Sequence, residues 1–189
     1  LHEGLALRAR GRLLLGSQEE EACSADLEAA RRIFERLGDR HHEAVTLALQ
    51  GTAESMMGHQ DRARPILEQA LVRLREAGDG QNEVLALVSL AIVCKELDQV
   101  ALESATLHEA LRLAREIAHQ RAEAVVLINL GVAAQDQGRL EEAEALYAQA
   151  LFIHRRAGNS EGAGLVLGNL GDLRRELGRL AEAEDAMRQ

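Results

Sequence analysis

Glycines, histidines, cysteines and acidic runs are the residues of this chain whose types could do chemistry, and their spacing fails each test. Gly162-Ala163-Gly164-Leu165-Val166-Leu167-Gly168 invites comparison with a dinucleotide-binding loop, but it has one residue too many before the last glycine. The segment ahead of it also reads as a helix, whereas a phosphate cradle needs strand, turn and helix in that order. His41-His42-Glu43, and His108 with His119, could be drawn as metal ligands. Neither has the i, i+4 spacing that sets two imidazoles on one helix face, and there is no Cys-x-x-Cys. They read as surface histidines. Cys23 and Cys94 fall at small positions of a repeating pattern and read as buried apolar residues. Glu19-Glu20-Glu21 and Glu141-Glu142 sit at helix starts, where carboxylates complement the helix dipole. No nucleophile–base pair emerges, so the expectation is no catalytic residue, no metal, no cofactor and no enzyme.

Composition narrows the partners. The formal net charge is −9, with 22 basic residues outnumbered by 31 acidic ones. Phosphate binding needs clustered Lys and Arg, so neither nucleic acid nor an anionic membrane surface is an expected partner. No apolar run approaches the ~20 residues of a membrane span, and no signal-peptide pattern is present. Two cysteines are too few for a secreted disulfide framework, so a reducing cytoplasm is expected. Beginning at Leu1 and ending on a helix that looks unfinished at Gln189, the chain is expected to be a piece of a longer polypeptide.

What must position any site is a repeat. Leu127-Ile128-Asn129-Leu130-Gly131 and Leu167-Gly168-Asn169-Leu170-Gly171 are nearly identical and lie forty residues apart. In that register a small residue returns at Gly11, Gly51, Ala91, Gly131 and Gly171. A bulky one follows at Leu27, Leu67, Leu107, Tyr147 and Met187, and an alanine at Ala30, Ala70, Ala110 and Ala150. Aromatics make up only 2% and there is one proline, so the apolar content is chiefly helix-forming Ala and Leu. Each repeat reads as two helices, A and B, in the fourth roughly Arg121 to Gln137 and Leu140 to Ala157. Gly58, Gly138 and Gly178 supply turns within repeats. Gly38-Asp39, Gly78-Asp79 and Gly158-Asn159 separate one repeat from the next by a left-handed stop and a cap. Ala118-His119 departs from this and is expected to be a less well-defined stop. Small residues let antiparallel helices approach closely; Gly131 is expected to face Ala143, and Ala150 to admit the next helix A.

These residues resemble the tetratricopeptide repeat (TPR) family. Leu130-Gly131, Gly138, Ala143, Tyr147 and Ala150 are the closest match; the first repeat is the weakest, with Arg10 before Gly11 and Cys23 at the alanine position of helix B. Glu103 holds that position in the third repeat, and Pro65 lies near the start of the second helix B. The spacing of forty is similar to the longer-helix TPRs of Pins-type polarity scaffolds and large bacterial signalling regulators. Ordinary TPRs repeat at 34 residues and carry a Pro near the end of helix B that is absent here. The resemblance implies an all-α, right-handed superhelical solenoid of antiparallel helix pairs over 1–189, with repeats at 1–38, 39–78, 79–118, 119–158 and an incomplete 159–189.

It also implies a concave wall built mainly from helix A, at −6, −3, +1 and +4 from the small residue. The second repeat contributes Val45, Ala48, Thr52 and Ser55; the third Leu85, Val88, Ile92 and Lys95. The fourth contributes Val125, Ile128, Val132 and Gln135; the fifth Leu165, Gly168, Asp172 and Arg175. Asn129 and Asn169 border this stripe. Their amides would hold a ligand's main chain, as in similar scaffolds, or bond helix to helix within the stack. Helix A of the third and fourth repeats is apolar almost all round, which points to a groove that buries a partner as well as to core. The function implied is a protein-interaction module receiving a peptide or helix, from another protein or another domain of the same polypeptide. The alternative is the sensor arm of a bacterial signal-transduction ATPase or transcription regulator, binding a small effector or a neighbouring domain. An unfinished last repeat would also leave a face open to end-to-end self-association.

Overall fold

Among residues 1–178, which the computed structural model describes, there are nine α-helices and no strand. They are α1 (His2–Leu14), α2 (Glu20–Leu37), α3 (Arg40–Met56), α4 (Gln60–Ala77), α5 (Gly80–Glu96), α6 (Val100–Glu116), α7 (Gln120–Asp136), α8 (Leu140–Arg156) and α9 (Ser160–Glu176). Odd-numbered helices are the A helices of the repeat and even-numbered ones the B helices. The chain divides into two compact bodies, residues 1–106 and 107–189, with the division inside α6. In the first, each of α1 to α5 packs on its sequence neighbour and α3 also touches α5; in the second, α7 packs on α8 and α8 on α9. Met187 and the end of the fifth repeat lie outside the described residues.

The helix boundaries follow from local chemistry. A residue with positive φ recurs every twenty positions: Gly38, Gly58, Gly78, Asp98, Ala118, Gly138, Gly158 and Gly178. From Gly38 to Gly158 each reverses the chain by the same pair of backbone bonds. At the first, the Gly38 amide donates to the Glu35 carbonyl and the Asp39 amide to the Phe34 carbonyl, 3.0 and 2.9 Å. The expected weak stop at Ala118-His119 is corrected here. Ala118 takes φ 52°, and the amides of Ala118 and His119 make the same two bonds at 3.0 and 2.9 Å. The ring of His119 then caps α7, its Nδ1 accepting from the Ala122 amide at 3.0 Å. Asp39, Asp79 and Asn159 cap α3, α5 and α9 in the same way. Asp98 does for the third repeat's internal turn what glycine does elsewhere. Pro65 falls in the second turn of α4, exposed, where its missing N–H removes one bond from the ladder.

The packing contact of each hairpin differs from the expected one. Gly131 lies under the ring of Tyr147 rather than against Ala143: a Cβ added there would sit 2.5 Å from Cε1. Gly51 lies under Leu67, and Gly11 under Leu27. The small residue of helix A therefore accommodates the bulky residue sixteen positions later, and Tyr147, Leu27 and Leu67 are almost wholly buried. Ala30, Ala70, Ala110 and Ala150 have no exposed surface, and Ala150 joins Val166 and Leu170 of α9 in one core cluster. Cys23 and Cys94 are buried free thiols; the Cys23 thiol donates to the Gly11 carbonyl at 3.2 Å. Burial raises both above the ordinary thiol range. Glu103, at the position of Ala63 and Ala143, is buried too. Arg10, where the third to fifth repeats have leucine, reaches back to α2 and donates from two nitrogens to the buried Asp26 carboxylate. A charged fork thus stands at the register positions that Leu130 and Leu146 hold in the fourth repeat.

Candidate functional site

The A-helix face is set by helical geometry. Seven residues bring the chain round almost two turns, so −6, +1 and +5 relative to the small residue share one stripe. In the first body this stripe carries Val45, Thr52 and Met56 on α3, and Leu85, Ile92 and Glu96 on α5. Leu85 is 43% exposed, Ile92 41% and Met56 58%, while Val45 is half-buried. Val88, one turn from Leu85, is only 7% exposed and belongs to the stack. Thr52 and Ser89 meet across α3 and α5 with their hydroxyls 2.8 Å apart.

In the second body Val125 and Val132 are half-buried on α7. Ile128 is 9% exposed and packs into the core with Tyr147, Val166 and Leu170. Leu165 on α9 is 60% exposed. Asp172 is exposed and accepts from Arg175 on the same helix. The structure thus divides the expected wall. The −6 and +1 positions reach the surface, and the −3 positions are core except at Gly168, which is exposed.

The two asparagines separate as well. Asn129 donates from Nδ2 to the Val125 carbonyl at 2.9 Å, which is neither a ligand contact nor a helix-to-helix bond. Asn169 is half-buried.

One arrangement the sequence did not reveal lies at the C-terminal end of this face. The buried Tyr147 hydroxyl donates to Gln135 Oε1 at 3.1 Å, and Gln135 Nε2 donates to Glu176 at 3.0 Å. A phenol on α8 thereby orients an amide on α7, which holds a carboxylate on α9. Burial raises the Tyr147 phenol to about 12, with the charges of Asp136 and Asp172 adding to the effect. The clue in the sequence is a tyrosine where the first three repeats place leucine.

Clefts also lie off this face. One of about 620 Å³ opens between the start of α3 and the end of α4, lined by Arg40, His41, Glu43, Arg73, Glu76 and Ala77. Within and beside it Arg73 pairs with Glu43, and His41 lies 2.7 Å from Asp79. His42 stacks on Phe34 and approaches the Asp39 carboxylate at 2.8 Å. The histidines near the repeat junctions therefore serve caps, stacking and ion pairs. Among the described residues no helix is long and apolar enough to cross a membrane.

Helical hairpins repeating at forty residues, with a small residue of helix A under a bulky residue of helix B, define a helical-repeat scaffold. Residues 122–189 match the family model for the tetratricopeptide repeat. Among solved structures it is similar to a Rap protein complexed with competence and sporulation factor, with TM-score 0.88, 18% identity, and coverage of 98% of this chain and 52% of that one. It is also similar to BtubC from P. vanneervenii, with TM-score 0.76, 19% identity, and coverage of 98% and 80%. A third likeness is to a signal transduction ATPase with numerous domains and a tetratricopeptide repeat sensor, from Pyrococcus horikoshii. There the TM-score is 0.71, the identity 15% and the coverage 96% of this chain and 30% of the other. At these identities the likeness is one of fold. The chain spans about half of the Rap structure and under a third of the ATPase. No curated protein sequence matches it.

Proposed function

We propose that this chain is a non-catalytic protein-interaction module that receives a peptide or helix on its A-helix face. The observation that carries this reading is the set of aliphatic side chains left exposed at equivalent register positions, Leu85 and Ile92 in one body and Leu165 in the other. A face with no partner to bury would be expected to carry polar residues there, as the outward faces of amphipathic helices do. In the first body the wall comprises Val45, Leu85 and Ile92 with Val88 as its floor; in the second it comprises Val125, Val132, Leu165 and Asp172, with Ile128 as its floor and Asn129 and Asn169 at its edge.

The test is selection of a displayed random peptide library on the whole chain, repeated with Leu85→Asp/Ile92→Asp and with Leu165→Asp. These sites are exposed, so helical circular dichroism should persist while peptide capture falls. Capture unchanged in both variants would sink the reading. A second reading is a sensor arm that binds a small effector or a neighbouring domain. The similar structures named for a repeat sensor and for a bound sporulation factor support it. A small effector would need an enclosed site, whereas exposed aliphatic side chains such as Leu85, Ile92 and Leu165 suit a chain segment.

A further inference from the structure

The A-helix face of the second body changes character along its length. On α9 the stripe runs Leu165, Asp172, Glu176; on α7 it runs Val125, Val132, Asp136. From the first to the last of either series is eleven residues, about 16 Å along a helix. One end is aliphatic and the other anionic. Three features make the second end negative as a unit. Glu176 is held toward α7 by the Gln135 amide, beside the helix end that carries Asp136. Asp136 and Asp172 both bear on the buried Tyr147 phenol, which places their charges around one point. The C-terminal ends of α7 and α9 add the negative pole of the helix dipole. Against this, Arg175 pairs with Asp172. Arg139, in the turn after α7, is engaged by Glu142 and Gln137.

We propose that this face takes a peptide carrying a basic residue displaced from an aliphatic one, with the aliphatic side chain on Leu165 and Val125 and the cation at Glu176, Asp172 and Asp136. The inference rests on the interaction-module reading and names the chemistry of its partner. In an extended peptide the displacement corresponds to about five residues, since each advances roughly 3.3 Å. The first body does not repeat the device. At the equivalent positions α3 ends in Ser55 and Met56, and α5 in Lys95 and Glu96.

The experiment sorts a displayed random peptide library on the whole chain and keeps the peptides whose capture Leu165→Asp abolishes. Those peptides should be enriched in Lys or Arg about five positions from an aliphatic residue. A synthetic copy of the strongest should bind Glu176→Gln about two- to fivefold more weakly, the range of one exposed ion pair, and Glu176→Lys more weakly still. High salt should reduce binding to the wild-type chain. Leu165-dependent peptides with no excess of basic residues, or indifferent to both Glu176 changes, would overturn the charge assignment and leave the interaction face standing. If no peptide depends on Leu165, the face itself is not a receptor on this body and the inference falls with it.

Discussion

Replacing Gly131 by alanine sets two effects of opposite sign against each other. In the middle of an exposed helix this exchange stabilises by about 0.5–1 kcal/mol, because glycine loses more backbone entropy on folding. At Gly131 the new Cβ would lie 2.5 Å from Cε1 and 2.7 Å from Cδ1 of Tyr147, where carbon atoms normally rest about 3.5–4 Å apart. The ring is 1% exposed and belongs to the cluster of Ala143, Ala150, Val166 and Leu170, so it cannot swing into solvent. Overpacking of this kind costs about 1–3 kcal/mol, and displacing the ring strains the bond from its hydroxyl to Gln135. The net expectation is a loss of about 1–2 kcal/mol, read as a lowered urea midpoint in far-UV circular dichroism. Gly168→Ala is the control: that site is exposed, and an added Cβ would meet nothing within 4 Å. It should gain about 0.5–1 kcal/mol. In a Tyr147→Ala background, itself destabilised by cavity formation, Gly131→Ala should change sign and become favourable. The reasoning is refuted if Gly131→Ala stabilises the wild type as Gly168→Ala does, or if the double-mutant cycle shows no coupling.

Three further outcomes follow from the same structure. Asp at Ile128 should lower the urea midpoint strongly, because a charge is forced into a core, whereas Asp at Leu165 should leave the midpoint within about 0.5 kcal/mol. His154 is 4% exposed with Nε2 buried and without a hydrogen-bond partner among the described residues, and burial, helped by Arg121, lowers its proton affinity. The unfolded chain then takes up the proton first, so stability should fall as pH drops through the ordinary imidazole range near 6.5. His154→Leu should flatten that limb of a pH–stability curve. At Glu28 partial burial raises the carboxyl, but hydrogen bonds from Arg31, Arg32 and Gln50 outweigh it and bring it to about 2. Its contribution is present above the ordinary value of 4.5 and lost as pH falls toward 2; Glu28→Gln should remove that dependence from acid titrations of stability.

Most of the architecture was legible because the repeat imposes the same local problem eight times. A chain that must reverse every twenty residues advertises it with glycine, and six of the eight turns in that register are glycine. The two that are not show where reading by residue type fails. Asp98 and Ala118 take the left-handed conformation because the helices on both sides already fix the reversal. Their small strain is offset by the two backbone bonds each stop makes. The A-helix stripe was legible as a periodicity, but not its division into surface and floor. That division depends on which flank of helix A faces the neighbouring A helix, as the Thr52–Ser89 contact shows, and sequence spacing alone leaves this open by about a third of a turn.

His154 shows how repeat proteins hide polar residues in plain sight. In register it stands where Phe34 and Leu74 stand, both fully buried, so an apolar side chain belongs there. The helix that follows supplies the compensation. Phe34 meets the flat ring of His42, which stacks on it with centroids 5.2 Å apart. Opposite His154 the same position is Gly162, where a Cβ would fall 2.5 Å from the imidazole, and the Asn159 amide that caps α9 lies 3.1 Å from Nδ1. At His154 the residue that closes one helix thus fills the space that glycine leaves near the start of the next, and Asn159 touches both. A bulkier residue at 162 demands a smaller one at 154. Gly162→Ala should therefore destabilise the wild type and be tolerated beside His154→Ala, a compensation that reading the two positions separately would miss.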